Sequence, residues 1–183
     1  MATKTSNLIK KGIKHRGLHG GKEQDVTGVI RVRDGETIAT TDLLRMVPLG
    51  ENVRPVSLTL TATPVRGTPV LTAFTFKAGV IPGSTVPFKR PDGTEYPQLP
   101  TKDDALVASL AIPAGLLINS TSVNRPVANS VPNYAPYDAT LVPTAAASVA
   151  GGDVDLALTV TYVGEQKAEG FAYTKFVNPK VKN

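Results

Sequence analysis

The chain has 183 residues, no cysteine and a formal net charge of +5, which excludes disulfides, thiolate metal sites and cysteine nucleophiles at once. Residues 1–22 hold six cations and no acid, residues 175–183 hold three lysines, and the intervening stretch therefore sums to −4. The basic character belongs to the ends, so the middle supplies no basic stripe for nucleic acid. The length suits one domain, and a body of about 160 residues buries roughly 70% of its unfolded-chain surface, enough for a core without staples. No run approaches the ~18 apolar residues of a spanning helix. No apolar segment follows the N-terminal charges, so no secretory signal is expected.

The first element is a basic, extended arm over residues 1–25. Its cations are Lys4, Lys10, Lys11, Lys14, Arg16 and Lys22, and Gly12, Gly17, Gly20 and Gly21 interrupt it. A helical turn over Lys10 to Lys14 is marginal in water without a partner. Fully extended, such an arm reaches about 70 Å, well beyond a body with a radius of gyration of about 15 Å. It is expected to lie on a neighbouring subunit. Six cations also suit phosphates, but the arm has no aromatic residue for base stacking. An acidic protein surface is the preferred partner.

From Val26 to Val163 the pattern is that of an all-β body. Val26 to Arg33 ends at the Asp34-Gly35 turn, and Glu36–Thr40 and Leu43–Val47 are short strands. Over 54–62, Val56, Leu58, Leu60 and Ala62 alternate with Ser57, Thr59 and Thr61. Val70 to Lys77 repeats the alternation, with Phe74 and Phe76 inward. Asp155 to Val163 is the clearest strand, with Leu156, Leu158, Val160 and Tyr162 on one face. A period of two is what a half-buried strand requires. Over 102–110 a short helix capped at Thr101 competes evenly with a strand over 105–112. The proline-rich stretches 82–100 and 120–143 are expected to be long loops. Even spacing of short strands with Pro/Gly turns points to a β-sandwich or jelly-roll-like body. After it, 164–183 forms a C-terminal strand and basic tail. There Phe171, Tyr173 and Phe176 either close the body's own sheet or add to a neighbour's.

Catalytic constellations are lacking. His15 and His19 both fall in the arm without a nearby carboxylate, which leaves neither a zinc site nor a Ser/His/Asp base. Asp103/Asp104 suit a helix start. Asp153/Asp155 flank a Gly151-Gly152 turn, where a solvated hairpin is preferred over calcium. No phosphate-binding glycine motif occurs. Neither a metal nor a cofactor is expected, and the chain is not expected to be an enzyme.

The order of segments resembles a known family. Gly35-Glu36-Thr37-Ile38-Ala39-Thr40-Thr41-Asp42 leads through Leu44 to Pro48-Leu49-Gly50, the strand Pro55 to Leu60 follows, and the body closes on Leu158-Thr159-Val160-Thr161-Tyr162. This is similar to the head decoration (capsid cement) proteins of tailed bacteriophages, over residues 26–163. The resemblance implies a virion protein assembled in the host cytoplasm. It would self-associate as a dimer or trimer, bind the outside of the capsid and bridge major capsid subunits. A tail, neck or fibre-base component of the same particle is the alternative, and a nucleic-acid-binding β-domain ranks below it. The family has no catalytic motif, so no residue receives a role from it.

Overall fold

The computed structural model describes residues 2–11, 22–50, 53–82, 106–128 and 137–164. Its strands are β1 (Thr3–Thr5), β2 (Glu23–Val32), β3 (Thr37–Ile38), β4 (Leu43–Leu49), β5 (Val53–Leu71), β6 (Phe74–Pro82), β7 (Val107–Ile112), β8 (Gly115–Leu116), β9 (Thr121–Pro126), β10 (Tyr137–Pro143) and β11 (Ala147–Gly164). A four-residue helix, α1 (Asn7–Lys10), follows β1. One sheet has the order β1-β4-β10-β6-β7. The other runs β2-β11-β5-β8, with β9 also on β5 and β3 on β11. Their inner faces share one core, so the body is an all-β sandwich.

The alternation seen in the sequence explains the centre of this sandwich. On β11, Leu156, Leu158 and Val160 are buried, as are Leu58, Leu60 and Ala62 on β5. The two strands pair antiparallel from Val149↔Leu71 to Gly164↔Val53. Facing them are Leu44 and Met46 of β4, Phe74 and Phe76 of β6, and Leu141 of β10, all fully buried. The two phenylalanine rings meet edge to face at 6.1 Å, the arrangement their quadrupoles favour.

Prolines inside β5 do not end it, because the ladder yields where they sit. Proline has no N–H to give, and the register with β11 shifts beside both Val154↔Pro64 and Tyr162↔Pro55. The Gly151-Gly152 pair, expected to turn a hairpin, is another such place. β11 runs straight through it with a register shift between Ala150 and Gly152. Gly151 has φ 78°, a conformation that side-chain-bearing residues rarely adopt.

Three further expectations change. The stretch 106–112, balanced between helix and strand, is strand: Leu110 opposes Phe76 and Ile112 opposes Phe74. The expected loop over 120–143 contains β9 and β10. Its prolines misled because Pro126 and Pro143 end strands, positions where a missing N–H costs little. Residues 2–11, expected in an extended arm, are part of the body: β1 pairs in parallel with β4, Thr3↔Leu43 to Thr5↔Arg45. The expected loop over 83–100, the helix start at 101–105 and the C-terminal strand after Gly164 lie outside the described residues.

Candidate interaction surface

The N-terminal segment joins the two sheets. Ser6 is fully buried. Its amide donates to the Arg45 carbonyl at 2.9 Å, and its hydroxyl donates to the Met46 carbonyl. The same hydroxyl oxygen caps α1 by accepting from the Ile9 amide at 3.4 Å, the usual work of a serine at a helix start. One residue on, the Asn7 carboxamide oxygen accepts from the Val29 amide of β2 at 3.0 Å. Val29 is on the outer strand of its sheet, so Asn7 occupies a donor that an open edge would leave for another chain. Beneath them β2 approaches β4 closely. A Cβ on Gly28 would stand 1.9 Å from the Met46 carbonyl oxygen, so only glycine fits.

Two carboxylates fix the start of the chain. Asp42, 7% exposed, accepts from the Ala39 and Ala2 amides, each at 3.0 Å. Those backbone bonds, opposed by some loss of hydration and aided by Lys4, hold its carboxyl below the ordinary range. Glu36 pairs with Lys4 and accepts from the Arg33 amide at 2.8 Å. Burial alone raises Glu36, but the Lys4 ammonium, the Arg33 amide and the Arg33 charge outweigh it and bring the carboxyl down.

The expected partner-binding cations therefore part company. Lys4 is turned to Glu36 and is half-buried. Lys10 and Lys11 at the end of α1 are exposed, as is Lys22 just before β2. Lys14 and Arg16 lie outside the described residues, as do His15, His19, Phe171, Tyr173 and Phe176.

The outer face of the β2-β11-β5-β9 sheet is a grid of short polar side chains. Thr27, Thr159, Thr59 and Asn124 form one row across four strands. Thr27 and Thr159 share a hydrogen bond of 2.7 Å, and Asn124 donates to Thr59 at 2.7 Å. The next row pairs Thr61 with Ser122 at 2.8 Å. Arg31 closes the grid on Asp155 with two bonds, 2.8 and 3.0 Å. Asp153 accepts from the Asp34 amide, and Asp34 accepts from the Gly151 amide. Both carboxylates thus serve the backbone beside the bulge.

Sequence reasoning missed one charged pair. Asp138 on β10 is 4% exposed and accepts from the Arg45 guanidinium at 2.8 Å through Nε. Its signal was a lone acid in the run Tyr137-Asp138-Ala139-Thr140-Leu141 and a lone base in Leu44-Arg45-Met46. Among the described residues no group of three His, Asp or Glu is placed to hold a metal ion, and no helix is long and apolar enough to cross a membrane.

No family model matches the chain, and no curated protein matches it. Among solved structures it is similar to a chain from the capsid of Ralstonia phage GP4. The TM-score is 0.53 and the sequence identity 15%, over 90% of this chain and 99% of that one. The likeness is one of fold, and it extends over nearly the whole of both chains.

Proposed function

We propose that the protein is a non-catalytic structural component of a tailed-phage particle. It binds the outer surface of the capsid and stabilises the shell by bridging major capsid subunits. The observation that carries this reading is the end-to-end fold likeness to a chain of a phage capsid. The segments resembling head decoration proteins support it, because they fall on β3, β4, β5 and β11 of the sandwich.

Bridging works by adding buried interface to a closed shell. Stable specific contacts bury about 1,600 Å², and linkage through one chain raises the effective concentration of each further contact. Lys10, Lys11 and Lys22 face solvent and suit an acidic capsid surface, with Lys14 and Arg16 between them in the chain. Phe171, Tyr173 and Phe176 of the tail supply apolar contacts, and the protein self-associates on the particle.

The test is addition of purified protein to undecorated capsids. Stoichiometric, saturable occupancy is expected, weakened when Lys10, Lys11 and Lys22 are changed together to Glu. Binding to tails but not heads moves the protein elsewhere on the virion. A protein that ignores the particle and shifts DNA in a salt-dependent manner overturns the reading.

A further inference from the structure

Half of the backbone amides of β2 point away from β11, and their neighbours show which half. The Val29 amide donates to the Asn7 carboxamide at 3.0 Å, across the outer edge of the sheet. Successive residues of a strand turn their amides to opposite sides, so those of Asp25, Thr27 and Arg31 also face outward. The side chains agree. Asp25 with Thr161, Thr27 with Thr159 and Arg31 with Asp155 are bonded across the ladder. Such contacts suit the close pairs of an antiparallel ladder, in which the two residues exchange no backbone bond.

This edge is guarded over one half only. Asn7 takes the Val29 amide, and just past the strand Glu36 takes the Arg33 amide at 2.8 Å. Over residues 23–27, nothing among the described residues takes the Asp25 or Thr27 amide. That stretch has no proline, and β2 pairs with β11 from Glu23↔Val163 to Val32↔Val154 without a register shift. A regular, uncovered edge is a template for another strand.

We propose that residues 171–177 of a second copy add to this edge as an antiparallel strand. Charge and length select the occupant. The exposed charges of the open stretch are Glu23 and Asp25, with Lys22 at its margin, and Lys175, Lys180 and Lys182 of the tail bring the opposite sign. Seven residues extend about 23 Å at ~3.3 Å each, enough to cover residues 23–27. With Lys175 on the outer face beside Asp25, Tyr173 shares that face with Thr27, and Phe176 falls on the side of buried Val26. The chain's own tail fits less well. β11 ends at Gly164, one strand away from this edge, so a tail turning back would run parallel to β2, the weaker pairing. It would also pass the end of β2 that residues 12–21 enter, and connections at one end of a sheet do not cross. A second copy's tail meets neither limit. Main-chain hydrogen bonds then supply affinity and alternate side chains supply specificity. The inference rests on the self-association named above and is tested on the isolated protein, without capsids.

Sedimentation of the full chain over a range of concentrations tests it, with amide exchange read by NMR. The unaltered protein is expected to associate reversibly, and the Asp25 and Thr27 amides to exchange more slowly as it does. Tyr173→Pro with Thr174→Pro removes tail donors on both sides of the added strand. It weakens association at least about tenfold and frees those two amides, while circular dichroism stays native. Lys175→Glu weakens association about two- to fivefold, and adding Asp25→Lys to it recovers the loss. Arg125→Glu, exposed on β9 at the far side of the sheet, leaves association unchanged. A protein that stays monomeric at about 100 µM, well above the micromolar Kd of a weak specific pair, overturns the proposal. So does undiminished association of the folded proline variant, equal loss from Arg125→Glu, or association that leaves the Asp25 and Thr27 amides unprotected. Capsid binding without self-association removes the inference and leaves the capsid reading standing.

Discussion

The β5–β11 pair and the β1–α1 segment are held by different physics. The pair is two strands of 19 and 18 residues whose alternate side chains fill the core. No single polar group decides their position, because shifting the register by one residue would expose every buried Leu and Val. The segment, residues 2–11, is ten described residues with one fully buried side chain, the Ser6 hydroxymethyl. It stays in place through Ser6, Asn7, Asp42 and Glu36, each making bonds that another residue type would not make. One region is specified by a pattern and the other by individual atoms.

Core truncation is the strongest way to break that contrast. Leu158→Ala empties a fully buried site on β11 and is expected to cost about 3–5 kcal/mol, lowering the whole denaturation midpoint. A loss confined to one strand's amides would show that the pair is not the centre of the cooperative unit. Next comes Gly28→Ala, at the crossing of β2 and β4. Its Cβ would meet backbone at 1.9 Å, so one strand must move, at roughly 2–3 kcal/mol. Stability equal to the parent would mean that the sheets do not approach as closely as described.

Smaller effects belong to the N-terminal segment. Ser6→Ala removes the cap of α1 and the bond to Met46, for about 1–2 kcal/mol. Hydrogen exchange should quicken at Ser6 and Lys10 and stay slow along β11; uniform quickening would merge the two regions. Acid should act in the same place. The folded Asp42 and Glu36 carboxyls lie below their ordinary values. Their contribution is therefore complete above the unfolded values near 4 and fades as pH falls through the lowered folded ones. Exchange or NMR between about pH 5 and 2 should show residues 2–11 loosening before the β5–β11 pair, and the reverse order would contradict the assignment. The smallest effect has the opposite sign. Tyr137 is 2% exposed and its hydroxyl has no partner among the described residues, so Tyr137→Phe should be neutral or stabilising by up to about 1 kcal/mol. Destabilisation by thermal melting would reveal a bond made by that hydroxyl.

The same contrast explains what the sequence made legible. The period of two over Leu156–Tyr162 and Leu58–Ala62 foretold strands, faces and an all-β sandwich, because burial on one side of a pleat leaves that trace directly. The Asp34-Gly35 turn was visible for a similar local reason. Residues 2–11 were not, since six cations without an acid over residues 1–22 read as an extended arm unless Glu36 and Asp42, distant in sequence, are known to face Lys4 and the Ala2 amide. Prolines hid β10, and short polar residues hid β9, an edge strand with little to bury.

The length of β5 and β11 has a mechanical consequence. At ~3.3 Å per residue the pair spans roughly 50 Å, from Val70 and Ala150 at one end to Val53 and Gly164 at the other. A pull between those ends runs along the strands and loads their cross-strand bonds together. A pull across the sheet would instead open them one after another. The β5–β11 pair therefore resists a pull along its strands better than a pull across them.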